Sequence, residues 1–119
     1  MAEQSKQQSN SNLPDGVTAE MIKAWKERYG SDKVKMASLP MDDNGDKYLD
    51  VIVRVPDRKT MSEFEKWLDK NPDKAKTLLI NSCLLTGKEQ VKADDALFFG
   101  AFDAIAELIP VRKSIVKNL

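Results

Sequence analysis

No histidine occurs anywhere in the 119 residues, and cysteine occurs only once. The first absence removes the commonest general acid–base near neutral pH, the usual Ser-His and Cys-His nucleophile pairs, and the commonest metal ligand. The second excludes an intramolecular disulfide and suits a reducing compartment. A surplus of charge is missing too, since 19 Lys and Arg balance 19 Asp and Glu. Duplex nucleic-acid binders concentrate positive charge to neutralise phosphates, so no nucleic-acid partner is expected. No apolar run approaches the roughly 20 residues that span a bilayer. The N-terminal stretch MAEQSKQQSNSN lacks the apolar centre of a secretory signal. The expectation is a cytoplasmic protein without a membrane partner.

What is present is the composition of a folded domain. Apolar residues make up 41% and charged residues 32%, enough of the former for a core in a chain of this length. Residues 1–15 are mostly Gln, Ser, Asn and other polar side chains, and read as a disordered tail that buries too little to repay its ordering. Residues 16–119 read as a single α+β domain.

Thr18 is a good N-cap, Glu20 belongs in a first helical turn, and Gly30 is suited to close the helix in the αL conformation. Met21, Ile22, Trp25 and Tyr29 between them give one apolar stripe, on a helix too short to stand alone. Residues 33–39 and 48–55 then alternate as strands around Asp42-Asp43-Asn44-Gly45-Asp46. Asn-Gly favours the positive φ angles of a type I′ turn, which predicts an antiparallel hairpin. Leu49, Val51, Val53 and Val55 share its apolar face. Ile52 and Tyr48 interrupt the opposite face, which implies that something partly covers it.

Pro56 ends the second strand, and the spacing of Thr60 and Glu63 predicts a capping box opening a helix with Met61, Phe64 and Leu68 inward and Trp67 beside them. Asn71-Pro72 predicts a cap and first position for another helix, with Ala75, Leu78, Leu79 and Leu84 on its buried side along with Ile80 or Cys83. Gly87 reads as its end, followed by a polar loop over 88–92. A last helix is expected from about residue 94 to 109, opened by Asp94 and Asp95 and stopped by Pro110. Residues 111–119 fit either a short strand or another helical turn. The expected architecture is an N-terminal helix, an antiparallel hairpin with an Asn-Gly turn, and three helices packed on it.

Candidate chemistry is sparse. Setting Gly45 at the glycine position of a calcium loop puts Pro40 and Val51 where carboxylates are required, so the acidic stretch reads as a turn. Thr86-Gly87-Lys88 lacks the upstream glycine of a phosphate-binding loop. Cys83, among Leu79, Leu84 and Leu85, reads as a small buried hydrophobe. No catalytic, metal-binding or cofactor-binding residue emerges, and the expectation is a non-enzymatic binding protein. The last helix carries the most information: only Asp103 and Glu107 define a polar strip, and apolar side chains cover the rest. It reads either as a central core helix or as a helix with one edge offered to a partner. Phe98, Phe99, Phe102 and Ile109 are the candidate contact residues.

These pieces in this order also resemble a known group. The carrying features are Ala24-Trp25-Lys26-Glu27-Arg28-Tyr29-Gly30, Val55-Pro56-Asp57-Arg58 before the helix with Met61, and Leu78-Leu79-Ile80-Asn81-Ser82-Cys83-Leu84-Leu85 followed by Gly87. Asp94-Asp95 and the closing Val116-Lys117-Asn118-Leu119 complete them. From residue 18 to 119 the chain resembles a family of small phage and prophage proteins similar to tail assembly chaperones. The resemblance implies a protein of the bacterial host cytoplasm that holds the long, aggregation-prone tape-measure protein until the tail tube assembles around it. It implies apolar surface offered to a helical client, no active site, and self-association. A small phage regulatory or anti-host factor that binds a host protein is the alternative.

Overall fold

The computed structural model describes residues 13–110 and 114–119. Residues 1–12 of the expected tail and residues 111–113 of the closing segment lie outside that description. Leu13 to Asp15 begin a turn beside Tyr48, Leu49 and Gly87.

The chain is α+β, with helix α1 (Ala19–Tyr29), strands β1 (Val34–Pro40) and β2 (Tyr48–Arg54), and helices α2 (Arg58–Leu68), α3 (Pro72–Cys83), α4 (Lys88–Ala93) and α5 (Asp95–Glu107). Thr18 caps α1 as expected. Its hydroxyl accepts the Met21 N–H at 3.2 Å, while its own N–H donates to the Met21 sulfur at 3.5 Å. Gly30 ends the helix at φ +115° and ψ 138°, outside the αL well that its position suggested. α1 packs on β1 yet buries none of its residues, a shallower docking than its apolar stripe predicts.

β1 and β2 pair antiparallel from Val34 with Arg54 to Pro40 with Tyr48. The connection is wider than a two-residue type I′ turn. The Met41 N–H donates to the Lys47 carbonyl, the Gly45 N–H donates to the Asp42 carbonyl, and the Asp42 carboxylate accepts the Asp46 N–H at 3.0 Å. The aspartate side chain supplies an acceptor within the loop, so Asn44-Gly45 need not close the ladder alone. Ile52, on the face opposite Val51 and Val53, is 2% exposed. That face is covered, as the interruption by Ile52 suggested, while Tyr48 stays exposed.

The segment after α3 completes the sheet in an unforeseen way. Leu84 bridges Val53, the Leu85 N–H donates to the Ile52 carbonyl, and the Thr86 hydroxyl accepts the Ile52 N–H. β2 is therefore paired on both sides, and β1 is the edge. Gly87 does not end α3, which stops at Cys83; it stands as N-cap of α4 at φ +73°. A Cβ there would meet Val51 Cγ1 at 2.8 Å, so both the left-handed conformation and the close approach to β2 call for glycine. The polar stretch expected to be a loop over 88–92 is the helix α4. Val91 alone is buried in it, and one apolar anchor fixes a short turn that periodicity cannot detect.

α2 begins earlier than the Thr60–Glu63 spacing suggested. Asp57 is the N-cap, accepting the Thr60 N–H at 2.8 Å, while Thr60 is buried and its hydroxyl accepts from Arg54. Asn71 and Pro72 cap α3 as expected, with the Asn71 side chain accepting the Lys74 N–H. The core lies between the Leu39, Val51 and Val53 face of the hairpin and the helices, and includes Phe64, Leu79, Ile80, Cys83, Leu84 and Ile105. Leu68, placed on the inner stripe of α2 by spacing, is the last residue of the helix and is exposed.

Candidate functional site

The only deeply buried stripe of α5 is Leu97, Ala101 and Ile105, four residues apart along one line of the helix. Asp94 fixes where that line begins, since its carboxylate accepts the N–H groups of Ala96 and Leu97 at 2.9 and 3.2 Å. Because the sequence around the stripe is apolar as well, the helix carries more hydrophobic circumference than the core uses. Phe98 and Phe102 are half-buried beside the core, and Phe99 is 55% exposed. One element thus carries a core line and, beside it, an exposed aromatic ring.

The rings form two pairs with Lys76 between them. Phe98 and Phe99 meet edge-on at 5.7 Å between centroids, and Phe102 tilts against Phe64 of α2 at 6.0 Å. Lys76 of α3 holds its ammonium 5.6 Å from the centroids of both Phe99 and Phe102. Such a cation–π contact is worth about 0.5–1 kcal/mol at an exposed site. Lys74 covers Trp67 more closely, at 3.6 Å. Ile109 is not part of the helix, which ends at Glu107; it is half-buried in the following turn, its N–H donating to the Ala106 carbonyl. The structure thus brings together three of the four expected contact residues. It adds Phe64, which spacing marks only as a core residue of α2, and Lys76, which no spacing signal marks; tertiary contacts of α2 and α3 with α5 bring both to the rings.

A second cluster centres on Arg54, a residue that the strand pattern merely turned away from the core. Its guanidinium side chain is only 12% exposed. Its Nε donates to the Ser82 carbonyl at 2.8 Å, a terminal nitrogen donates to the Thr60 hydroxyl at 3.2 Å, and Asp57 lies 3.6 Å away. Tyr29 of α1 packs its ring 4.9 Å from the same guanidinium. One side chain therefore ties β2, α1, α2 and α3 together. The hydrogen bonds from Thr60, aided by Arg54, hold the Asp57 carboxyl below its ordinary pKa. Around this node is a cleft bordered by Arg28, Lys33, Arg58 and Pro110.

Cys83 is fully buried, and its burial pushes the thiol pKa up to about 11, the reverse of what a nucleophile needs. No helix among the described residues is long and apolar enough to cross a membrane. Among them, too, no three metal-ligating side chains lie together.

No protein-family model matches the chain, and no curated protein matches it in sequence. A solved structure of an uncharacterised protein, rbstp2171 from Bacillus stearothermophilus, shares its fold with a TM-score of 0.57 at 18% sequence identity. The match covers 81% of this chain and 98% of that one. At this identity the likeness concerns the fold alone.

Proposed function

We propose that this protein is a non-enzymatic binding protein of the tail-assembly-chaperone type. In the bacterial host cytoplasm it holds a helical segment of a phage tape-measure protein against the aromatic edge of α5. The single observation that carries the reading is Phe99, 55% exposed and packed edge-on against the half-buried Phe98, with Lys76 between it and Phe102. Large exposed aromatic side chains beside half-buried ones supply anchor contacts for an amphipathic helix laid into a groove. The sequence resemblance supplies the identity of the client, and the helix-in-groove mode supplies the physics. Lys76 beside the rings favours a client helix with an acidic flank.

The test is co-expression with the tape-measure protein encoded in the same gene cluster. The expected result is a stable complex and a gain in client solubility, both lost with Phe99→Asp while the variant keeps its native circular dichroism. Absence of any complex with the unaltered chain overturns the reading. A stoichiometric host protein recovered in place of the client would favour the regulatory or anti-host alternative.

A further inference from the structure

The cleft beside Tyr29 and Arg54 contains no residue of α5, and it gathers charge of one sign on a chain that is neutral overall. The recess, about 370 Å³ in volume, is lined by Arg28, Lys33, Arg54 and Arg58 against one carboxylate, Asp57. That carboxylate is already engaged, accepting the Thr60 N–H and lying 3.6 Å from Arg54. Arg54 is engaged too, donating to the Ser82 carbonyl and the Thr60 hydroxyl, so its nearly buried charge forms a fixed floor. Arg28, Lys33 and Arg58 stand on three separate segments around it, and among the described residues none of them forms an ion pair.

Such a gathering destabilises the empty cleft. Like charges at close range repel. Arg58 is also the first residue of α2, whose first turn holds no acidic side chain, so a cation sits where the helix dipole favours an anion. The geometry suits a bound anion. The guanidinium of Arg28 lies 5.3 Å from the Tyr29 ring centroid, and that of Arg54 lies 4.9 Å from it. A guanidinium held over an aromatic ring keeps its in-plane N–H fork available for the oxygens of an anion. The volume falls at the lower end of the roughly 300–1,000 Å³ of small-molecule sites, which favours a small ligand over a stretch of a macromolecule. Three cations without a carboxylate partner call for several negative charges within a short reach, and linked phosphates supply them.

We propose that this cleft binds a diphosphate or triphosphate chain, either free or carried by a nucleotide. Arg28 and Arg58 hold its oxygens as forks and Lys33 as a point charge, while Arg54 supplies the positive floor and stays bonded to the fold. The bound phosphates offset the repulsion among the cations, so affinity for the anion is gained at the expense of the empty chain's stability. The site uses neither α5 nor the aromatic edge and stands independently of the proposed client. Its strength is electrostatic, so binding weakens as added salt screens the charges.

Isothermal titration calorimetry of the full chain with tripolyphosphate at low salt tests this. One-to-one binding that weakens with salt and raises the thermal midpoint is expected. Arg58→Glu and Lys33→Gln should each keep native circular dichroism and weaken binding by roughly tenfold or more, the factor that one charged hydrogen bond is worth. Arg58→Glu should at the same time raise the unfolding midpoint of the empty chain, which loss of a merely structural arginine would not do. Arg54 is left intact, since it holds the fold itself. ATP bound more tightly than tripolyphosphate would make the ligand a nucleotide, and ATP bound no more tightly would make it a free phosphate chain; either supports the site. Absence of binding overturns the proposal. So does binding that Arg58→Glu and Lys33→Gln leave unchanged, which would place the phosphates elsewhere. Citrate or a glutamate-rich peptide bound as tightly as tripolyphosphate overturns it as well, since the cleft would then be a carboxylate site.

Discussion

Helices α1 and α5 invert what their sequences suggest about depth. α1 has the tidier amphipathic pattern, with a good cap and one apolar stripe, and buries no residue. α5 is apolar on nearly every side, and only Leu97, Ala101 and Ile105 go fully inside. The difference lies in what each meets. α5 lies against β1, α3 and α4, while α1 packs chiefly on β1 of the hairpin, with Tyr29 resting against Arg54. Periodicity tells which side of a helix faces inward; the number of neighbours decides how far it goes. A helix with too few neighbours is held lightly, and a helix with excess apolar surface has some left to offer.

The sharpest way to break this contrast is to truncate a core side chain on α5 and its counterpart on α1. Ile105→Ala should lower stability by about 2–5 kcal/mol, because its site is sealed and leaves a cavity. Ile22→Ala, at a half-buried position, should cost well under half of that. Urea denaturation midpoints measure both, and equal losses would mean that α1 is as much part of the core as α5.

Next in size is the junction that aims α4 and α5 at the sheet. Gly87→Ala should cost about 2 kcal/mol, combining roughly 1–2 kcal/mol for a left-handed non-glycine residue with the overlap against Val51. In a double-mutant cycle with Val51→Ala the losses should be less than additive, since removing the Val51 methyls frees the space the new Cβ needs. Strict additivity would show that only the backbone conformation matters.

Two helix caps separate the regions more finely. Thr18→Ala and Asp57→Ala each remove a side-chain acceptor typically worth about 1 kcal/mol. The Asp57 loss should appear in global unfolding, because α2 belongs to the core. The Thr18 loss should appear chiefly as faster amide exchange within α1, with a smaller change in the global midpoint. The Asp57 contribution also has a pH signature. Its folded pKa is depressed, so the stabilisation is fully present above the ordinary carboxylate value near 4 and is lost as pH falls through the lower folded value. The gap between wild type and Asp57→Ala should therefore hold from neutrality down to about pH 5 and close in more acidic solution. A gap that widened on acidification would contradict the assigned cause.

The caps also show which features the sequence makes legible. Thr18 and Asn71-Pro72 read correctly because their partners lie within one turn, at Met21 and Lys74. The start of α2 was misread because Thr60 has good capping chemistry of its own. The choice of Asp57 is joined to a contact from Arg54 that engages the Thr60 hydroxyl from another element. Gly87 was legible as punctuation, though not as the start of α4, since a single buried valine gives no period. For the candidate site, the excess of apolar residues on α5 was visible and the identity of the open edge was not. That edge depends on where α2 and α3 cross, which places Phe64 against Phe102 and Lys76 over both outer rings.

The smallest expected change in stability falls on that edge and tests the comparison most directly. If α5 has surface to spare, Phe99→Ala should alter the unfolding free energy by no more than about 0.5 kcal/mol, the range of ordinary surface substitutions. The half-buried Phe98 and Phe102 should each cost more. Phe102 should cost the most of the three, since it packs on Phe64 as well as under Lys76. Binding of the proposed client should reverse the order, with the most dispensable ring for folding being the most damaging to lose. If all three variants unfolded alike, the aromatic edge would be core after all, and α5 would differ from α1 only in depth. A stable Phe99→Ala that no longer holds the proposed client would instead show that the ring left outside the core is retained for contact.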